Sequence, residues 1–123
     1  MDLKQTSGLI AEKLAGKYLK QKGFRILEER YRTRYGELDL ICRKGKEVVF
    51  VEVRSIKSDS GFSPEESISL KKINHLIKSA RDWIIKKRIK NLEIRFDLIT
   101  VNLSTNPPVI NHFPKAFESV IDL

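Results

Sequence analysis

With 123 residues, 41% hydrophobic and 33% charged, the chain has the size and balance expected of one folded domain spanning 1–123. No apolar run nears the ~20 residues that cross a bilayer, the opening MDLKQTSG has no apolar leader, and a single cysteine, Cys42, makes no internal disulfide. A membrane-spanning protein, a disulfide scaffold and a cysteine-ligated zinc module are thereby excluded, and a lone thiol fits a reducing, cytoplasmic setting. Lysine and arginine total 24 against 16 acids, a net charge of +8. A small basic protein is expected to meet an anionic partner, nucleic acid first, although basicity also serves solubility.

Neither an internal repeat nor a low-complexity tract interrupts the chain. Ala11, Leu14, Ala15, Tyr18 and Leu19 keep helical spacing and Gly23 stands at the C-cap position, which predicts a helix over roughly residues 6–22. A short extended segment, Phe24 to Arg32, follows, then strands from Glu37 to Arg43 and Glu47 to Arg54; the second holds the β-branched and aromatic run Val48-Val49-Phe50-Val51. Ser55 to Ser63 has the composition of a flap. Ser63-Pro64-Glu65-Glu66 combines an N-cap serine, a first-turn proline and a glutamate three residues beyond the cap, and predicts a helix start. The stripe Ile73, Leu76, Ile77, Ala80, Ile84 carries that helix to about Arg88. A strand from Glu93 to Asn102 and, after Pro107-Pro108, one from Val109 to Phe113 complete the order α-β-β-β-α-β-β: an α/β protein with a sheet flanked by two helices.

Alternation places Glu37, Asp39, Ile41 and Arg43 on one face of their strand, with Leu38, Leu40 and Cys42 on the other. In the next strand Val48, Phe50, Glu52 and Arg54 share a face. A two- or four-residue loop around Lys44-Gly45 sets Asp39 opposite Phe50, Glu37 opposite Glu52, and Asp39 diagonal to Glu52 within ~8 Å. Three acids so close repel one another, and a hard divalent cation, which takes carboxylate oxygens, resolves the conflict. Solvated acids on a hairpin are the commoner outcome, and a three-residue loop with Gly45 in a bulge would put Asp39 and Glu52 on opposite faces. Glu12, at the edge of the first helix's apolar stripe, is placed to reach the end of the sheet. Arg54 points with the acids; it either bridges Glu37 or Glu52, or holds a phosphate, and being always protonated it is no general base.

The second helix and its end carry Lys71, Lys72, Lys78, Arg81, Lys86, Lys87, Arg88 and Lys90 against Asp82 alone, a face suited to phosphates or simply to solvent. Arg30, Arg32 and Arg34 alternate before the acidic strand, and Tyr31 and Tyr35 offer rings for stacking or for core packing. His75 and His112 lack metal-ligand spacing, Trp83 belongs to the helix's core-facing edge, and Asp97 reads as structural, paired with Arg95 or Lys72.

Gly36-Glu37-Leu38-Asp39-Leu40-Ile41 and Phe50-Val51-Glu52-Val53-Arg54 resemble the GEIDLI and FVEVK/R signatures of the YraN-like family of small bacterial proteins. The resemblance extends through Ala11-Glu12-Lys13-Leu14-Ala15 with Tyr18-Leu19, Lys72 with Ala80 and Trp83, Arg95-Phe96-Asp97, and Ala116-Phe117, in order over most of the chain. That family is grouped with the restriction-endonuclease-like, or PD-(D/E)XK, nucleases. The resemblance implies a central mixed sheet with helices on its faces, Asp39 and Glu52 as ligands of Mg2+ or Mn2+, Glu12 as a helix-borne acid completing the set, and Glu37 as a nearby helper. The superfamily's motif lysine falls on Arg54, which would clamp the phosphate while a water whose pKa the ion lowers attacks it.

The reading is a DNA- or other nucleic-acid-binding protein that cuts phosphodiester bonds with a divalent metal, Asp39, Glu52, Glu37 and Arg54 acting at the scissile bond. Lys72, Lys71, Arg54, Arg34 and Lys78 grip the strand, and resolvase-like relatives suggest a homodimer. Two alternatives stand beside it: a binding module on a nuclease fold without turnover, and an interaction protein whose basic helix meets an acidic protein.

Overall fold

The computed structural model describes residues 3–57 and 68–117. Helix α1 (Leu3–Gln21) leads into strands β1 (Arg25–Thr33), β2 (Gly36–Lys44) and β3 (Glu47–Ile56); helix α2 (Leu70–Lys86) and strands β4 (Glu93–Asn102) and β5 (Val109–Phe113) follow. This is the expected order. The five strands form one sheet in the order β1-β2-β3-β4-β5. Every neighbouring pair is antiparallel except β3 and β4, which run parallel. A parallel pair needs a crossover, and α2 supplies it. The sheet is thus mixed, with one of the described helices on each face, as expected.

Each face has its own core. Ala11, Ala15 and Leu19, spaced four apart on α1, pack against Cys42, Val49, Val51, Ile99 and Val101. Two alanines at the contact let the helix lie close to the sheet. On the opposite face Ile73, Leu76, Ala80 and Trp83 of α2 cover Ile41, Val48, Phe50, Phe96 and Leu98. Phe50 stacks on Phe96, ring centroids 5.3 Å apart, and meets Trp83 edge-on. The Val48-Val49-Phe50-Val51 run is therefore buried from both sides, as its composition predicted.

Gly23 ends α1. Its φ of 92° lies in the left-handed region, and the Gly23 and Phe24 amides cap the carbonyls of Lys20 and Leu19 at 3.1 and 2.9 Å. Gly23→Ala is expected to cost about 1 kcal/mol, read as a lower urea midpoint with an unchanged slope.

The start of α2 differs from expectation. Ser63-Pro64-Glu65-Glu66 lies outside the described residues, and the helix that carries the apolar stripe begins at Leu70. Its N-cap is Ser69, extended at φ −69°, whose hydroxyl accepts from the Lys72 amide. The third helical residue is lysine, so Ser69 lacks the glutamate that makes a capping box legible in sequence. Most of the Ser55–Ser63 flap also lies outside the described residues.

Two further corrections concern strand geometry. The β2–β3 turn is Gly45-Lys46, with Lys44 paired to Glu47, so the register is displaced by two residues from the expected one. Glu37 does not face Glu52, nor Asp39 Phe50: Ile41 faces Phe50, Leu40 faces Val51, and Asp39 and Glu52 come next. A displacement of two preserves which side chains share a face. A second irregularity does not. Arg30 adopts φ 49° between the β1–β2 pairs Glu29–Leu40 and Tyr31–Leu38. Past this break Leu38 packs in the α2-side core, whereas Leu40 packs in the α1-side core. The two leucines expected on one face lie on opposite ones.

Candidate metal and nucleic-acid site

The break in alternation builds the site. Where β2 leaves its ladder with β3, the Val53 amide donates to Asp39 Oδ2 at 2.9 Å. A side chain thus replaces a backbone acceptor, and the two strands part around the Asp39 carboxyl. Glu12, the residue after Ala11 at the start of the Ala11–Ala15–Leu19 contact, reaches the same end of the sheet from α1. One carboxylate oxygen each from Glu12, Glu37 and Asp39 lies within 4.8 Å of the others. On the far side of Asp39 is Glu52, 6% exposed, whose Oε1 has no hydrogen-bond partner among the described residues. Register, strand break and helix packing thus converge the four acids that the sequence singled out.

Their mutual influence is large. Burial first, then the Glu52 charge and a hydrogen bond with Glu52, lift the Asp39 carboxyl to about 8, against a smaller pull from the Val53 amide and Lys72. Burial and the Asp39 charge also raise Glu12, opposed by its hydrogen bond with Arg30. Acids held together at this cost are the pattern of a site that takes a cation.

The cations around them are unevenly assigned. Arg30 Nε donates to Glu12 at 3.0 Å and Arg32 Nε to Glu37 at 3.3 Å. These two arginines serve the acids. Lys72 Nζ lies 3.7 Å from Glu52 Oε2, a partner the sequence did not suggest, since helix and strand are twenty residues apart. Arg54, half-buried, lines a cleft of about 790 Å3 with Glu12, Asp39, Glu52, Lys57 and Lys72. A second cleft, of about 470 Å3, opens from the α1 side and shares Glu12 and Asp39 with the first.

At the tip of the β1–β2 hairpin the Thr33 and Ser79 hydroxyls are 2.8 Å apart and pin the turn to α2. Tyr35 there lies under Arg34, 4.9 Å from the ring centroid, and under Lys78, 5.7 Å away. Lys71 and Lys78 are exposed on α2, whereas Lys86 and Lys87 are paired with Asp82 and Glu28. Tyr31 packs against the α2-side core rather than offering a ring for stacking.

Asp97 is structural, and of the two partners expected for it Arg95 is the one that holds it, joined by His112. His112, which spacing marked as ordinary, also meets the Tyr18 hydroxyl at 3.1 Å and so ties β5 to α1. Cys42 is fully buried, and burial, with the Asp97 charge behind it, pushes its thiol to about 12, which closes it to thiolate chemistry. Among the described residues no helix is long and apolar enough to cross a membrane.

The motif residues Glu37, Asp39 and Glu52 fall inside residues 11–101, the span matched by the model of Uncharacterised protein family UPF0102. The chain belongs to the UPF0102 family, the YraN-like group its motifs resemble. A UPF0102 protein of Anaeromyxobacter dehalogenans is 41% identical over 117 residues, covering 95% of this chain and 87% of the relative. One from Syntrophomonas wolfei is 42% identical, covering 89% and 96%, and one from Thermotoga maritima is 47% identical, covering 84% and 89%. Among solved structures, Pyrococcus furiosus SfsA in complex with Ca2+ is similar at 21% identity with a TM-score of 0.37. This chain is covered to 89% and spans 63% of that one.

Proposed function

We propose that this UPF0102 chain binds nucleic acid, DNA foremost, and hydrolyses its phosphodiester bonds with Mg2+ or Mn2+. The observation that carries the reading is Glu52, a buried acid in the lining of an open cleft, whose Oε1 has no partner among the described residues and whose neighbour is the half-buried Asp39 carboxyl. Such an oxygen costs free energy unless something binds it, and a hard cation is the ligand that carboxylates take. Oxygen donors are at hand: Asp39 and Glu52 would hold the ion, Glu12 would complete the ligands, and Glu37, whose carboxylate lies within 4.8 Å of those of Glu12 and Asp39, would add negative charge beside them. When bound, the ion supplies Lewis-acid activation of a water and of the phosphoryl oxygen. The protein's own groups do the rest. Arg54 orients the phosphate and offsets charge that grows on it, Lys71, Lys72, Arg34 and Lys78 neutralise the flanking backbone, and Tyr35 offers a ring to a base. A homodimer would present two such clefts to a branched substrate.

The presence of arginine at position 54, where the superfamily's motif has lysine, favours a second reading in which the chain binds nucleic acid without cutting it. One experiment separates the two. Pure protein is incubated with linear, nicked and branched DNA, with Mn2+ or with chelator. Cutting that needs Mn2+ and disappears in Asp39→Ala, with DNA binding retained, is the expected result. Metal-independent binding without cutting of any substrate would leave the binding module.

A further inference from the structure

We propose that Lys72 is an exchangeable counter-ion: it neutralises Glu52 while no divalent cation is bound, and cation binding releases it to a phosphate of the nucleic-acid strand. The inference rests on the cation reading above and adds, to the phosphate contact given there to Lys72, a role as counter-ion of Glu52.

The geometry separates charge from bonding. At 3.7 Å from Glu52 Oε2 the Lys72 ammonium is close enough to offset the carboxylate but beyond hydrogen-bond distance. The other oxygen, Oε1, has no hydrogen-bond partner among the described residues. Lysine therefore meets the electrostatic demand of the buried acid and not its demand for a bond, whereas a divalent ion meets both. The two cations compete for one carboxylate.

Lys72 is also built to leave. Its backbone is fixed, because its amide donates to the Ser69 N-cap hydroxyl at 3.1 Å. Its side chain is 41% exposed, against 6% for Glu52, and a lysine stem is flexible and ends in a compact charge that water hydrates readily. It lines the same cleft as Arg54 and Lys57 on the basic side and Glu12 and Asp39 on the acidic side. Before a cation binds, Lys72 is engaged by Glu52 and the acids repel an incoming phosphate. Afterwards the acids are neutralised and the ammonium is available to the strand. Cation and polyanion must then strengthen each other's binding by the same factor.

The test uses Lys72→Met, which keeps the stem and removes the charge, with Lys72→Gln as a second neutral variant and Lys72→Arg as the conservative one. Mn2+ binding is measured by calorimetry, and binding of a fluorescent DNA duplex is measured by anisotropy in Ca2+ and in chelator at equal ionic strength. Both neutral variants should bind Mn2+ about tenfold more tightly than wild type, with Lys72→Arg near wild type. Their melting temperatures should fall in chelator and recover in Mn2+, and Ca2+ should strengthen duplex binding less in them than in wild type. Equal or weaker Mn2+ binding by the neutral variants, with wild type binding Mn2+, overturns the exchange and leaves the cation site standing. Absence of Mn2+ binding to wild type overturns both.

Discussion

Glu52→Met should raise the melting temperature of the metal-free protein while abolishing Mn2+ binding and lowering any cleavage on the order of 10^3-fold. The two effects have opposite signs for one reason. Glu52 is nearly buried, 6% exposed, its Oε1 has no partner among the described residues, and its neighbour is another carboxyl, the half-buried Asp39. In the folded protein without metal that arrangement is a liability. Replacing a poorly compensated buried charge by an apolar side chain of similar length is commonly neutral or stabilising, by about 1–3 kcal/mol. Lys72, being 41% exposed, returns to water at little cost. An acid retained for structure would behave in reverse, and a fall in melting temperature on Glu52→Met would remove the main support for a cation site. Thermal melts in chelator and Mn2+ calorimetry on the same preparations decide the matter.

Asp97→Ala is expected to be the most destabilising single change, costing about 3–5 kcal/mol out of the ~5–15 kcal/mol typical of a domain. Asp97 has no exposed surface and accepts from Arg95 Nε and Nη2 at 2.9 Å each, from the Lys115 amide at 3.1 Å, and meets His112 Nε2 at 2.7 Å. Removing it takes an acceptor from the Arg95 guanidinium, which keeps Glu47, and from an imidazole and an amide, and loosens the His112–Tyr18 link to α1. The pH dependence follows from the same contacts. Burial alone would raise the Asp97 carboxyl, but the hydrogen bonds from His112, Arg95 and the Lys115 amide outweigh it and hold it below its ordinary value. A depressed carboxyl stabilises the fold fully above the unfolded value of ~3.9 and loses that contribution as pH falls through the lower, folded one. Wild type should therefore keep the Asp97 contribution down to about pH 4 and lose it below, whereas Asp97→Asn should be weaker at neutral pH and show a flatter acid limb. Urea midpoints across pH 2–7 measure both curves (about one unit apart suffices).

Much of the fold was legible because its signals are local. Ala11, Leu14, Ala15, Tyr18 and Leu19 mark a helix by their spacing, and Gly23 marks its end. The apolar stripe through Ala80 identifies α2 even though its start was misplaced, because Ser69 caps Lys72 rather than a glutamate. The site was legible in its members and not in its assembly. Alternation put Asp39 and Glu52 on one side, and helical spacing put Glu12 at the margin of α1. The register was missed by two residues, since Lys44-Gly45 and Gly45-Lys46 are both plausible two-residue turns in sequence. The reversal at Leu38 was missed because a left-handed conformation at Arg30 leaves no compositional mark.

The amino-acid sequence by itself determined a basic α/β chain with two amphipathic helices, a buried central strand and a run of acids beside it, and its motifs determined the family. Each of these is a property of spacing along the chain, where helix and strand periods are set by backbone geometry. Only the tertiary structure decided that Lys72 reaches Glu52, that Arg30 and Arg32 serve Glu12 and Glu37, and that His112 joins Asp97 to Tyr18. Those contacts cross between elements, so they depend on register, on one break in the sheet and on how closely each helix lies upon it, which no local spacing encodes.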